Sequence, residues 1–142
     1  MALTPSATAG IVPLGEDIEV QEQAVQTSRT YAVDWHTSRI GGYIDGIEAV
    51  RQAIYKVLLT ERFAYIIYSW DYGTEMTTLI GRSEDVLQSE AKRIVSEALL
   101  QDGRISDITD FMATKTDRDT MAISFTAVTI YGDAEIEQEV TV

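Results

Sequence analysis

Along residues 134–142 hydrophobic and polar side chains alternate. Ala134, Ile136, Val140 and Val142 share a face with Gln138, whereas Glu135, Glu137, Glu139 and Thr141 share the other. A period of two with one apolar side predicts a strand lying between a core and water. Similar runs occupy residues 105–116 and 121–131, separated by Asp117-Arg118-Asp119-Thr120 and followed by Gly132-Asp133. Residues 105–142 are therefore expected to form an antiparallel three-strand meander.

Upstream the period changes to that of a helix. Ile47, Val50, Ile54, Val57 and Leu58 fall on one face of residues 46–59, with Glu48, Arg51, Gln52 and Lys56 opposite, and Asp45 and Glu48 form a capping-box-like pair at the start. A second helix is expected after Ser83, with Glu84 and Asp85 in its first turn. Its apolar rows are Val86/Leu87, Ala91, Ile94/Val95 and Ala98/Leu99, and Gly103 marks its stop. Residues 30–35 alternate as a strand, with Tyr31, Val33 and Trp35 on one face; a turn at 36–39 and a short return at 40–44 follow.

Residues 60–81 read as the hub of the domain. The aromatic and β-branched run 63–68 fits a buried strand, Ser69-Trp70-Asp71-Tyr72-Gly73 a turn, and residues 75–80 a short helical piece closed by Gly81. Arg62, Trp70, Tyr72 and Gly73 are its expected structural residues. The fold class is α+β, with two main helices and a short one packed on a mainly antiparallel sheet.

Residues 1–28 hold both prolines and no sustained period, and are expected to be a flexible arm before a single domain at 29–142. Composition refines this picture. The chain has 142 residues, 45% of them hydrophobic, enough for one self-sufficient core. It has no cysteine, which excludes disulfides and thiolate metal sites. No apolar run is long enough to span a membrane and no signal-peptide order opens the chain, so a soluble protein made in the cytoplasm is expected.

The formal net charge is −12, and much of it sits at the two ends. Glu16, Asp17, Glu19 and Glu22 lie in the arm, and Asp133, Glu135, Glu137 and Glu139 near the C-terminus, with no Lys or Arg among them. This charge argues against nucleic acid or an anionic membrane as partner; it suits a basic protein surface, or serves only to keep the chain soluble. His36, the only histidine, stands in a turn with no acid or histidine constellation around it, so neither a catalytic nor a metal role is assigned. No cofactor is implied.

Several blocks carry a resemblance to a known family: residues 31–35, GGYIDGIEAVRQAIYKVLLTER at 41–62, YSWDYG at 68–73, LLQDGRI at 99–105 and ISFTAVTIYGD at 123–133. Over residues 30–142 the sequence resembles the sheath-initiator or baseplate-wedge family of contractile tails. That family includes the small lysozyme-like wedge protein of T-even phages and a type VI secretion baseplate component. The branch that it resembles is found in defective phages and phage-tail-like bacteriocins of Gram-positive bacteria. The resemblance implies a structural protein with a sheath-handshake-like fold, placed in a tail baseplate assembled in the bacterial cytoplasm. Implied partners are the baseplate wedge proteins, the sheath subunit, and other baseplate hub or tube-proximal proteins.

The resemblance also implies residue roles. Asp102-Gly103-Arg104 matches the family's Glu-Pro-Arg motif, with a shorter acid and a glycine for the proline. An Asp-x-Arg at a helix-to-strand corner suits bracing that corner or gripping the wedge core bundle. Arg62 matches the arginine of a Gly-x-Arg step and is expected to brace the hub. Strand exchange with sheath is expected along Ala134, Glu135, Ile136, Glu137, Gln138, Glu139 and Val140, or along residues 30–35 if the strand order buries the last strand.

The competing readings are a lysozyme-like enzyme and a generic protein-binding adaptor. A glycosidase needs one carboxylic acid held protonated and a second carboxylate about 5–9.5 Å away. Glu61 adjoins Arg62 and Asp102 lies two residues from Arg104, and a neighbouring cation favours the ionised form instead. No catalytic residue is assigned.

Overall fold

The computed structural model describes residues 27–79 and 81–141, so the expected arm lies outside the described residues except for Thr27 and Ser28. Ser28 is buried, and its hydroxyl shares a 2.7 Å hydrogen bond with that of Tyr131. In chain order the elements are β1 (Thr30–Asp34), β2 (Arg39–Ile44), α1 (Gly46–Leu59), a 3-10 helix (Met76–Leu79), α2 (Glu84–Leu99), β3 (Ile105–Asp117), β4 (Thr120–Thr129) and β5 (Gly132–Thr141). The strands form two antiparallel sheets, the hairpin β1-β2 and the meander β3-β4-β5.

Every second residue of β4 is buried, from Met121 through Ile123, Phe125 and Ala127 to Thr129. Beside it β5 buries Ala134, Ile136 and Val140, and the Glu135, Glu137 and Glu139 side chains stay exposed on the other face. Val50, Ile54 and Leu58 of α1 and Leu87, Ala91, Ile94, Val95 and Leu99 of α2 close over this apolar face to make one core. Burial of this kind, at about 25 cal/mol per Å², is the main stabilising term.

β3 departs from strict alternation: Ile105, Ile108 and Phe111 are buried at intervals of three. Its register with β4 shifts between Ile105 and Asp107 and again between Thr109 and Met112, where Asp110 has φ +53°. Each inserted residue reverses the phase of the positions after it and bends the strand under α2.

Three local expectations are corrected. Residues 63–68 form no strand: Phe63 has φ +67°, and successive turns close from Ala64 N–H to Glu61 C=O, Tyr68 to Tyr65 and Tyr72 to Ser69. Among the described residues the segment finds no strand partner, and its side chains are exposed instead of buried. Gly103 is not the helix stop. The second helix ends at Leu99 with Leu100 as its C-cap, whose N–H bonds Ser96 C=O, and the backbone then turns through Asp102 N–H to Leu99 C=O. Asp45 caps α1 without a capping box, its carboxylate accepting from the Gly46 N–H at 2.7 Å.

Candidate functional site: strand edges, the corner and the aromatic loop

A strand edge offers N–H and C=O groups to another chain unless something covers them. Two edges here are occupied by glutamines. Gln52, expected on the polar face of α1, is buried; its Oε1 accepts from Val33 N–H at 2.9 Å and its Nε2 donates to Tyr31 C=O at 2.8 Å. Gln88 of α2 does the same to β3, accepting from Ala113 N–H at 2.8 Å and donating to Phe111 C=O at 2.9 Å. A carboxamide carries an acceptor oxygen and a donor NH2 in one plane, so it pairs with a strand as a short neighbouring strand would. The alternative exchange edge at residues 30–35 is thus occupied where Tyr31 and Val33 face outward.

β5 pairs on one side only among the described residues, with β4. A two-residue turn, Ile130 and Tyr131, joins the two, and Thr129 opposite Gly132 is the closing pair. Hydrogen-bonded pairs alternate from there, so Ala134, Ile136, Gln138 and Val140 bond β4. Asp133, Glu135, Glu137, Glu139 and Thr141 then direct their N–H and C=O groups to the free edge. At Glu139 the carbonyl is engaged by the Gln138 Nε2 at 3.0 Å.

At the corner between α2 and β3, Asp102 and Arg104 close on each other. The Arg104 Nε lies 2.9 and 3.2 Å from the two carboxylate oxygens and Nη2 lies 2.6 Å from Oδ2, while the Arg104 N–H adds a 3.0 Å bond to Oδ1. Chiefly through the guanidinium hydrogen bonds, the Asp102 carboxyl is held below the ordinary Asp value and the Arg104 guanidinium is pushed up. The Arg104 C=O accepts from Ile130 N–H at 3.0 Å, which ties the corner to the β4-β5 turn. An acid held ionised is the reverse of a glycosidase proton donor.

The pair borders a cleft of about 530 Å³, whose other walls include Gln52 and Lys56 of α1 and Ser69, Asp71 and Tyr72. Those last residues belong to a loop with a closed neck. Arg62 N–H bonds Thr74 C=O at 3.0 Å and Thr74 N–H bonds Thr60 C=O at 2.9 Å, while Arg62 Nε donates to the Trp70 C=O at 2.8 Å. The same guanidinium stands 3.7 Å from Asp71 and 3.8 Å from Glu75 and covers the Phe63 ring at 4.7 Å. Gly73 has φ +99° where the neck strands meet. Tyr72 is half-buried and stacks on Tyr68 at 4.4 Å; burial first, and Tyr68 second, raises its phenol.

This arrangement presents backbone and surfaces. Among the described residues no group of three metal-ligating side chains is assembled, and no helix is long and apolar enough to cross a membrane. His36 lies in the β1-β2 turn, where its N–H and that of Thr37 bond the Asp34 carboxylate.

Among the described residues the α+β domain thus carries a strand edge paired on one side only, a braced corner and an exposed aromatic loop. Residues 29–132 match the contractile injection system sheath initiators, and the chain belongs to that family. It is 40% identical over 142 residues to the phage-like element PBSX protein XkdS of Bacillus subtilis (strain 168), a match that covers 97% of this chain and 96% of that protein.

Proposed function

We propose that this protein is the baseplate component of a contractile phage tail or phage-tail-like particle on which the first ring of sheath is built. A strand of the sheath subunit adds to β5 at Asp133, Glu135, Glu137, Glu139 and Thr141, and the face bearing Asp102 and Arg104 turns toward the baseplate wedge proteins. The protein acts as structure, without catalysis.

The observation that carries this reading is the distribution of edges. Gln52 and Gln88 occupy those of β1 and β3, and β5 is left with outward N–H groups at alternate residues. β2 is the weaker template, since Gly41 and Gly42 interrupt it and Gly42 has φ +67°. A strand added to β5 also extends the sheet that carries the core.

Proline substitution tests it. Glu137→Pro removes an outward donor and spares the ladder to β4, so the variant folds and joins baseplates that remain sheathless by electron microscopy. Gln138→Pro removes a ladder bond instead, and is expected to lower stability where Glu137→Pro does not. Full-length sheath on baseplates carrying folded Glu137→Pro would falsify strand addition at this edge.

A further inference from the structure

The loop between Arg62 and Gly73 exposes apolar side chains that the core does not use. Ile66 is fully exposed, Ile67 85% and Trp70 82%, with Phe63 and Tyr65 more than half exposed beside them. Isolated exposed apolar residues need no explanation, but a contiguous group of them marks a contact surface.

The loop is also held in shape. Its neck is closed by the backbone bonds between Thr60, Arg62 and Thr74, and Arg62 grips the Trp70 carbonyl from inside. Phe63 meets Trp70 edge-on at 6.1 Å, and Tyr65 meets Tyr68 at 6.0 Å. Aromatic anchors presented on a closed, internally bonded loop lose little freedom on binding, which is the property of an interface hot spot.

We propose that the loop from Phe63 to Trp70 is a preformed plug that seats in an apolar groove of the baseplate protein that holds this chain in the particle. Glu61, Asp71 and Glu75 surround the neck and, among the described residues, only the single Arg62 guanidinium stands with them, which leaves the neck net negative, so the matching groove carries Lys or Arg at its rim. The same charges and the overall −12 disfavour an anionic lipid surface. Ser69, Asp71 and Tyr72 at the far end of the loop line the cleft that the Asp102–Arg104 corner also borders, so a partner seated on the loop lies beside the corner. The corner pair is already satisfied by its own hydrogen bonds, and the plug supplies the apolar contact that the corner lacks.

This proposal rests on the baseplate reading, and two variants separate their failures. Ile66→Ser with Ile67→Ser removes exposed side chains only and leaves thermal stability unchanged. Its incorporation into baseplates is expected to fall about tenfold or more, with or without sheath present. Glu137→Pro, by contrast, is incorporated and sheathless. Normal incorporation of the double-serine variant would overturn the plug and leave strand addition standing; sheath built on Glu137→Pro would do the reverse. Two further measurements guard the choice of occupant. Sedimentation of the isolated wild-type chain is expected to show a monomer, and vesicles of phosphatidylcholine are expected not to bind it. Self-association or vesicle binding that the serine substitutions abolish would overturn the assignment in favour of a second copy or a lipid surface.

Discussion

Gly73 is where a single atom decides the local backbone. A Cβ there would meet Thr60 O at 2.7 Å and Arg62 N at 2.9 Å, both backbone atoms of the loop neck, and φ is +99°. Gly73→Ala is expected to cost about 3 kcal/mol in urea denaturation, because strain and collision add at a point that cannot yield. Asp102 is a milder case. Its carboxyl is depressed below 3.8 by the Arg104 hydrogen bonds, so its stabilisation is present above the unfolded-state value and is lost as pH falls through the folded one. Both side chains keep over a quarter of their exposure, which limits the pair to about 1 kcal/mol. Asp102→Asn should therefore lower stability by about that amount at pH 7, and the gap should close as the medium is acidified below 3.8. A gap that persists unchanged in acid would show that the corner is held by something other than this charge.

At the scale of elements, the two glutamine clamps make the most specific prediction. Gln52→Glu replaces the amide donor facing Tyr31 C=O with a carboxylate that repels it, in a buried site. The expected loss at pH 7 is about 2–3 kcal/mol. Burial and the carbonyl raise the new acid's folded value above the ordinary 4.3 or so, hence the penalty is full at neutral pH, fades as pH falls through the folded value and is gone below the ordinary one. Equal stability of variant and wild type at pH 7 would remove the clamp as a source of order in the hairpin. The clamp was hidden in the sequence because an amide at a helical position reads as polar surface, whereas its planar donor-acceptor pair fits a strand edge. The bulges of β3 were hidden for a related reason, since nothing in Thr109-Asp110 marks an added residue. The helices and the meander were legible, as 3.6 and 2 periods over ten or more residues leave little choice of element. Residues 63–68 misled because aromatic and β-branched side chains serve a buried strand and an exposed contact surface equally well.

For the whole molecule, the question is how a sheet can keep an open edge without joining a second copy of itself. Two copies paired antiparallel along β5 about a twofold would set Glu137 opposite Glu137 and Glu135 opposite Glu139. Like charges directly opposed cost about 0.2–1 kcal/mol per pair, so the three pairs amount to roughly 0.6–3 kcal/mol against the dimer. That is about 3-fold to 150-fold in its association constant. A strand carrying Lys or Arg at alternate positions meets the same three carboxylates as attractive partners, so one row of side chains rejects self-pairing and admits a basic strand. The combined change Glu135→Gln, Glu137→Gln and Glu139→Gln is therefore expected to produce dimers by sedimentation at concentrations where the wild type is monomeric. The same variant should seed sheath less efficiently, and the residual seeding should no longer depend on salt between 0.1 and 1 M, a range over which the screening length falls from about 10 to 3 Å. A neutralised edge that stays monomeric and seeds sheath with the wild type's efficiency and salt dependence would show that the charges on β5 take no part in choosing its partner.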